Sequence, residues 1–175
     1  MKRFLKVISM LSITLMLVVL TGCNQDKFYK EWSNAGAEIE EENIFEYIEL
    51  DEVATKISNG DTFVVVCASS KNSQSITVIN TLQSQHDYLC PEKDVTIYVV
   101  DSTDFDKSSR KTAKEKLGLS KAVTSDGSPI IMTYEKGIIG VETNWLDKIQ
   151  TQEFVVNGTF QSSALASYIF KDLLA

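Results

Sequence analysis

Three cysteines and one histidine are the residues of this 175-residue chain best suited to nucleophilic or metal chemistry. Cys23 ends an apolar N-terminal run, Cys67 lies inside a β-branched run, and Cys90 follows a polar helical segment. No cluster of Cys, His and carboxylates has metal-ligand spacing, so we expect no metal and no cofactor. His86 lies about three helical turns from the nearest serine cluster, so we expect no catalytic pair of a serine nucleophile and a histidine base. We predict that His86 is a surface residue.

The first 23 residues form a secretory signal pattern, with three basic residues before the apolar run Val7–Leu20. That run is short for a membrane-spanning helix, which needs about 20 apolar residues. Its end, Leu20-Thr21-Gly22-Cys23, resembles the lipobox of bacterial lipoproteins. The resemblance implies that residues 1–22 are removed and that lipid on Cys23 holds the chain on the extracytoplasmic side of the cell membrane. The alternative is an uncleaved signal anchor with a chance cysteine.

Charge restricts the partners of the mature chain. Removing residues 1–22 takes three of the 17 basic residues and none of the 24 acidic ones, which lowers the formal net charge from −7 to −10. Such an acidic surface repels nucleic-acid phosphates, so no nucleic-acid partner is expected. It is also poorly attracted to anionic lipid, so the lipid on Cys23 would provide the membrane attachment.

Residues 23–43 are polar and acidic, without sustained periodicity, and we predict a lipid-anchored tether there. Phe28, Tyr29 and Trp32 are unusual in a linker. Docking onto the domain, a position at the lipid headgroups, or a short irregular helix would each explain these aromatic residues.

Residues 44–175 predict one α/β domain in which strands and helices alternate. The run Thr62–Ala68 is continuously apolar and β-branched, as in a central parallel strand buried on both faces. The other predicted strands are Ile44–Leu50, Asp94–Asp101, Pro129–Tyr134, Ile138–Glu142 and Phe154–Val156. The first predicted helix is capped by Asp51 and runs to about Ser58, and the second ends near Tyr88. The others are Ser108–Leu117, a short helix within Asn144–Gln152, and Ser162–Leu174.

This order of elements is similar to that of the thioredoxin fold. The second half carries the more specific resemblance: Lys116-Leu117-Gly118-Leu119, then Ser128-Pro129, then an apolar strand that turns at Glu135-Lys136-Gly137. Pro129 matches the family's cis-proline position. The chain resembles the thioredoxin-like lipoproteins and bacteriocin transport accessory proteins of Gram-positive bacteria, over roughly residues 44–174. The resemblance implies a central mixed sheet flanked by helices.

The family's Cys-x-x-Cys motif is missing. In the family, it follows the strand that matches Thr62–Ala68, where the helix N-terminus lowers the pKa of the first thiol. Aligning the strand ends places Lys71-Asn72-Ser73-Gln74 at that motif, and neighbouring registers supply only serine, asparagine and lysine. Disulfide exchange by the family mechanism therefore lacks its nucleophile.

The remaining cysteines do not replace the pair. Cys67 is expected to be a buried apolar filler, and Cys90 is expected at the opposite end of the sheet. Five to seven strand residues separate the two ends by roughly 15–20 Å, whereas a disulfide needs Cα atoms within about 7 Å. A Cys67–Cys90 bridge is not expected.

The candidate binding residues are those of the degenerate active-site face, namely Ser70, Lys71, Ser73, Gln74, Ser128 and Pro129. Serines at the predicted helix start would bind an anion or, more commonly, cap the helix. The carboxylates of Asp101, Asp104 and Asp106 lack the glycine and glutamate of an EF-hand calcium loop.

Two functions remain open. The first is a membrane-anchored extracytoplasmic protein without catalytic residues, which binds a peptide or protein partner in export or envelope processes. The second is a diverged thiol–disulfide oxidoreductase of the thioredoxin superfamily that works through Cys67 or a partner's thiols.

Overall fold

The computed structural model describes residues 24–120, 123, 125, 127–144, 155–156, 159–160 and 162–174. In these ranges a five-stranded mixed sheet is flanked by helices. The helices are α1 (residues 24–34), α2 (Leu50–Asn59), α3 (Ser73–Leu89), α4 (Lys107–Lys116) and α5 (Ser162–Ser167), which continues as a π-helical segment over Tyr168–Leu173. The strands are β1 (Phe45–Tyr47), β2 (Phe63–Ala68), β3 (Ile97–Asp101), β4 (Ile130–Glu135) and β5 (Ile138–Asn144), with a separate pair, β6 (Val155–Val156) and β7 (Thr159–Phe160).

The sheet has the strand order β1-β3-β2-β4-β5. Strands β1, β3 and β2 are parallel, with Val66 of β2 opposite Val99 of β3. Strand β4 is antiparallel to β2, and the hairpin between β4 and β5 turns at Lys136 and Gly137, both in the left-handed region. This arrangement is compatible with a thioredoxin-like one.

Two apolar cores lie on the two faces of the sheet. Strand β2 contributes to both, because its alternate residues point to opposite faces. Val64 and Val66 pack with α1, α3 and the C-terminal helical segment, whereas Val65 and Cys67 pack with α2 and α4. All six residues of β2 are buried, which confirms the prediction of a central strand.

Most predicted elements occur within three residues of their predicted ends, and two differ in an instructive way. Strand β1 ends at Tyr47, and Glu49, not Asp51, caps α2 in a reciprocal capping box with Glu52. The last helix is not uniformly α-helical, since it widens into a π-helix after Ser167. The short helix predicted within 144–152 falls on residues of which only Asn144, in β5, is described.

The structure differs from the predicted tether over residues 24–34, which form α1. Phe28 and Trp32 are fully buried, and Phe28 stacks on Trp32 and on Phe45 with ring centroids 5.2 Å apart. A spacing of four residues places both aromatic rings on one face of the helix. Burying a large apolar side chain of this kind stabilises the docked helix by about 1.5–3 kcal/mol.

The surface prediction for His86 is wrong. Its side chain is buried beside the ring of Phe170, with centroids 5.5 Å apart. The imidazole Nε2 lies 3.1 Å from the carbonyl oxygen of Lys93. The histidine therefore joins α3 to the C-terminal helical segment, far from the serines at the start of α3.

No helix in the described part of the chain is both long and apolar enough to cross a membrane. The signal peptide and Cys23 lie outside the described residues.

Candidate functional site

The candidate site lies where the three parallel strands end. Strand β2 ends at Ala68 and leads through Ser69–Asn72 into α3, and β3 ends at Asp101 and leads through 102–106 into α4. Because parallel strands present their carboxyl ends at one edge, these loops meet there, at the usual position of ligand sites in open α/β sheets. We call Ser69–Gln74 with Ser128–Pro129 the candidate face.

Helix α3 begins with an asparagine cap. The Asn72 Oδ1 accepts hydrogen bonds from the backbone N–H groups of Gln74 and Ser75, at 2.9 and 3.1 Å. These are two of the amides that a bound anion would use. The helix start is therefore capped, but by Asn72 and not by one of the serines for which the sequence predicted this role.

A buried hydroxyl joins three segments beneath the candidate face. Ser75 is fully buried, and its hydroxyl donates to the carbonyl oxygen of Gly127 at 3.0 Å. The same Oγ accepts the backbone N–H of Ser69 at 3.3 Å. The contact requires glycine at position 127, because φ is +68° and a Cβ there would lie 2.7 Å from the Cβ of Ser69.

Ser70 bonds to helix α1, and Lys71 bonds to the loop that follows β3. The Ser70 hydroxyl donates to Glu31 of α1 at 2.7 Å, and the Lys71 Nζ lies 3.3 Å from the Asp104 carboxylate. Both side chains of the second pair are mostly exposed, at 72% and 90%, so that ion pair contributes little to stability. Lys71 therefore remains available to a partner.

Ser73 and Gln74 are the first residues of α3. Ser73 is exposed, whereas Gln74 is half-buried. Its Oε1 is buried and accepts no hydrogen bond from the described residues.

Ser128 and Pro129 lie below the surface. Ser128 is only 1% exposed and Pro129 is buried. No cis peptide bond occurs among the described residues, so the Ser128–Pro129 bond is trans, contrary to the match with a cis-proline. The trans form is the one that X–Pro bonds favour by about 0.5–1 kcal/mol unless the surroundings impose the other. The exposed part of the candidate face is therefore the Ser70–Ser73 loop.

The two described cysteines are free thiols in different surroundings. Cys67 is fully buried, and burial raises the pKa of its thiol to about 12. At neutral pH the reactive thiolate is almost absent there. Cys90 is partly exposed and packs against the core on the opposite face of the sheet from Cys67.

The carboxylates at the end of β3 and in the loop after it form local hydrogen bonds and ion pairs. Asp101 accepts the backbone N–H of Thr103 at 2.8 Å, and Asp106 caps α4 by accepting the N–H of Ser109 at 2.7 Å. Within the described residues no group of three or more histidine, cysteine or carboxylate side chains is placed to hold a metal ion.

A small cavity of about 220 Å³ adjoins these loops at the ends of β1 and β3. Lys27 of α1, Tyr47, Asp101 and Phe105 contribute to its lining. The Lys27 ammonium lies 5.2 Å from the centre of the Tyr47 ring. Burial, followed by the neighbouring Glu31 carboxylate, raises the pKa of Tyr47, which stays protonated at neutral pH.

The sequence did not single out Glu31, Asn72 or Gly127, which organise the candidate face. The Asp126-Gly127 pair is a turn signal that would have drawn attention to the glycine. Nothing local to Glu31 indicates that it meets Ser70, because the two are 39 residues apart in the chain.

No protein-family model matches the sequence, and a search of curated proteins finds no match.

Proposed function

We propose that this chain is a lipid-anchored, extracytoplasmic protein with a thioredoxin-like fold that binds a peptide or protein partner through the candidate face, in an accessory role in export or envelope processes. The proposed anchor is diacylglyceryl on Cys23, and the signal pattern and the Leu20-Thr21-Gly22-Cys23 motif support it. Two lipid chains suffice for stable attachment where one would not.

The strand order supports the thioredoxin-like fold. Three parallel strands, a fourth antiparallel to β2 and a closing hairpin follow one another as that family resemblance implies. The beginning of α3 also suggests a register for the lost motif. Its cap is Asn72 and the residue one turn on is Ser75, so Asn72-Ser73-Gln74-Ser75 occupies the helix start, one place later than Lys71–Gln74.

One observation carries the binding proposal: the Ser69–Ser75–Gly127 contacts hold the candidate face in one conformation and leave Lys71 and Ser73 exposed at its tip. A preorganised loop binds at a lower entropy cost than a disordered one. Since Ser128 and Pro129 are buried, the partner contacts the Ser70–Ser73 loop and does not pair with the proline loop as an added strand.

The oxidoreductase alternative has no supporting geometry. Neither Asn72 nor Ser75 carries a thiol, and Cys67 is fully buried with a pKa near 12. A nucleophilic cysteine needs the opposite surroundings, namely partial exposure and a lowered pKa.

Site-specific photocrosslinking in membranes tests the binding proposal. A photoreactive amino acid in place of Ser73 should give a discrete adduct, whereas the same amino acid in place of exposed Lys111 on α4 should not. Lys71→Glu should reduce the Ser73 adduct if the lysine contacts an acidic or polar partner. Equal adducts from both positions, or none from either, would count against the candidate face.

Intact mass of the membrane-extracted protein tests the anchor separately. The expected species is residues 23–175 carrying diacylglyceryl on the first residue. A species that retains residues 1–22 would contradict the proposed lipid anchor.

A further inference from the structure

Residue 24, which directly follows the proposed lipid attachment site, is already part of helix α1. We propose that the lipid on Cys23 seats the domain directly against the bilayer surface, with the amino ends of the parallel strands toward the lipid headgroups and the candidate face directed away. This inference rests on the proposed lipid anchor. In place of an extended tether that would let the domain turn freely, it gives the domain one orientation on the bilayer.

The helix is docked and not suspended. Phe28 and Trp32 have no exposed surface, and the Trp32 Nε1–H donates to the Tyr47 hydroxyl oxygen at 2.8 Å. The segment that follows is also attached, because the backbone N–H of Glu38 donates to the Asn80 side chain on α3 at 2.9 Å. Between Cys23 and the folded domain there is therefore no free length of chain over which the domain could swing.

The direction of α1 decides which end of the domain lies near the lipid. Near its start, the Gln25 side-chain amide donates to the carbonyl oxygen of Asn43, two residues before β1 begins. Near its end, Glu31 accepts the hydroxyl of Ser70, two residues after β2 ends. The helix thus runs from the amino ends of the parallel strands toward their carboxyl ends, and Cys23 is joined to the former.

The end of the domain next to Cys23 is polar and acidic. Gln25 lines a cavity of about 270 Å³ together with Asn43, Glu46, Asp94 and Thr96. Carboxylates at this end do not attract anionic headgroups. The short covalent link, and not these carboxylates, therefore provides the orientation, and neutral headgroups suit this end of the domain.

The orientation sets where a partner can bind. Eleven helical residues at about 1.5 Å each place the end of α1 roughly 16 Å above its beginning. The candidate face, which contacts that end through Glu31, lies at a similar height above the headgroups. It is accessible to a partner in the aqueous phase and not to one confined within the bilayer.

Headgroup quenching on reconstituted protein tests the orientation. The lipidated full-length mature protein is placed in phosphatidylcholine vesicles that contain a headgroup-nitroxide lipid. In a Cys90→Ser background, single fluorophores are attached through Thr96→Cys or Ser73→Cys, both at exposed positions. We expect the lipid to quench the fluorophore at position 96 several-fold more than that at position 73.

The matched control inserts a flexible Gly/Ser linker of about 20 residues, which spans roughly 25 Å on average, between Cys23 and Asn24. The linker should abolish the difference between the two positions without changing vesicle flotation. Equal quenching at both positions in a floating, lipidated protein without the linker would overturn the orientation alone. A protein that carries no lipid and does not float would overturn the anchor and, with it, the orientation.

Discussion

The indole Nε1–H of Trp32 donates a hydrogen bond to the hydroxyl oxygen of Tyr47 across 2.8 Å, and both side chains are buried. Trp32 belongs to α1 and Tyr47 is the last residue of β1, so the bond joins the N-terminal helix to the edge of the sheet. Burial and, after it, the neighbouring Glu31 carboxylate raise the pKa of the Tyr47 hydroxyl. The Trp32–Tyr47 contact lies inside an apolar cluster and contributes, with the Phe28 ring contacts, to the orientation of α1 on the domain.

Removing the Tyr47 hydroxyl should therefore destabilise the fold. In Tyr47→Phe the buried Trp32 N–H loses its acceptor, which costs about 1–3 kcal/mol of the free energy of unfolding. Urea denaturation measures the change. The matched control is Tyr88→Phe, at a position that is 82% exposed, where the effect should stay within about 0.5 kcal/mol. Equal stability of the two variants would show that the bond does not hold α1 in place.

Two glycine substitutions separate backbone strain from steric contact. Gly127 and Gly118 have similar φ angles of +68° and +64°, but an added Cβ meets Ser69 at 2.7 Å at the first and nothing within 4 Å at the second. Each alanine variant carries the left-handed strain of about 1–2 kcal/mol. Gly127→Ala should lower the midpoint of urea denaturation further than Gly118→Ala, because Ser69 must also move. Identical midpoints would remove the support for a rigid candidate face.

Cys67 should resist thiol reagents in the native state. Its thiol is fully buried, so Ellman's reagent at pH 8 should modify the partly exposed Cys90 and spare Cys67 until the chain unfolds. A Cys90→Ser variant isolates the second thiol. Rapid modification of that variant under native conditions would contradict the burial of Cys67 and would revive the oxidoreductase hypothesis.

Because of the same thiol, the free energy of unfolding should depend on pH in the alkaline range. Burial raises the pKa of Cys67 from 9.0 to about 12, so between these values the unfolded chain loses a proton that the native chain keeps. Titration of Cys67 leaves the free energy of unfolding unchanged well below pH 9. Above pH 9 it lowers this free energy by about 1.4 kcal/mol per pH unit, until the pH reaches the pKa of the folded state. Urea denaturation between pH 8 and 10 measures this slope, which should be smaller in Cys67→Ala. An unchanged slope in that variant would assign the dependence to other groups.

Restoring two thiols tests the register of the lost motif. In a Cys90→Ser background, Asn72→Cys with Ser75→Cys should close a disulfide on air oxidation. With dithiothreitol as the reductant that regenerates the dithiol, the same variant should catalyse insulin reduction, because the helix N-terminus lowers the pKa of the first thiol. Loss of the Asn72 cap costs about 1 kcal/mol, and Ser75→Cys also weakens the bonds to Ser69 and Gly127, so urea denaturation first confirms that the variant folds. The comparison variant, Lys71→Cys with Gln74→Cys, begins outside the helix and should be less active. Higher activity in the comparison variant would support the alignment of the lost motif with Lys71–Gln74.

Long, strongly patterned elements could be predicted from the sequence because their signals are local. The continuous apolar run of β2 and the Asn59-Gly60 stop after α2 depend on neighbouring residues alone. The absence of a cysteine pair after β2, where helix α3 begins, is also evident from the sequence alone. The cap was less predictable, because Asp51 is a favoured N-cap residue and Glu49 is not, and the reciprocal bond between Glu49 and Glu52 becomes evident only in the folded chain.

The sequence by itself determined the composition of the candidate face: hydroxyl, amide and ammonium groups, with no cysteine pair at any register. Only the tertiary structure decided that α1 docks, that His86 is buried and that Ser75 meets Gly127. These contacts join residues 15 to 84 positions apart in the chain. A local pattern describes which face of a helix is apolar, but the surface that covers it is created only when distant segments pack together.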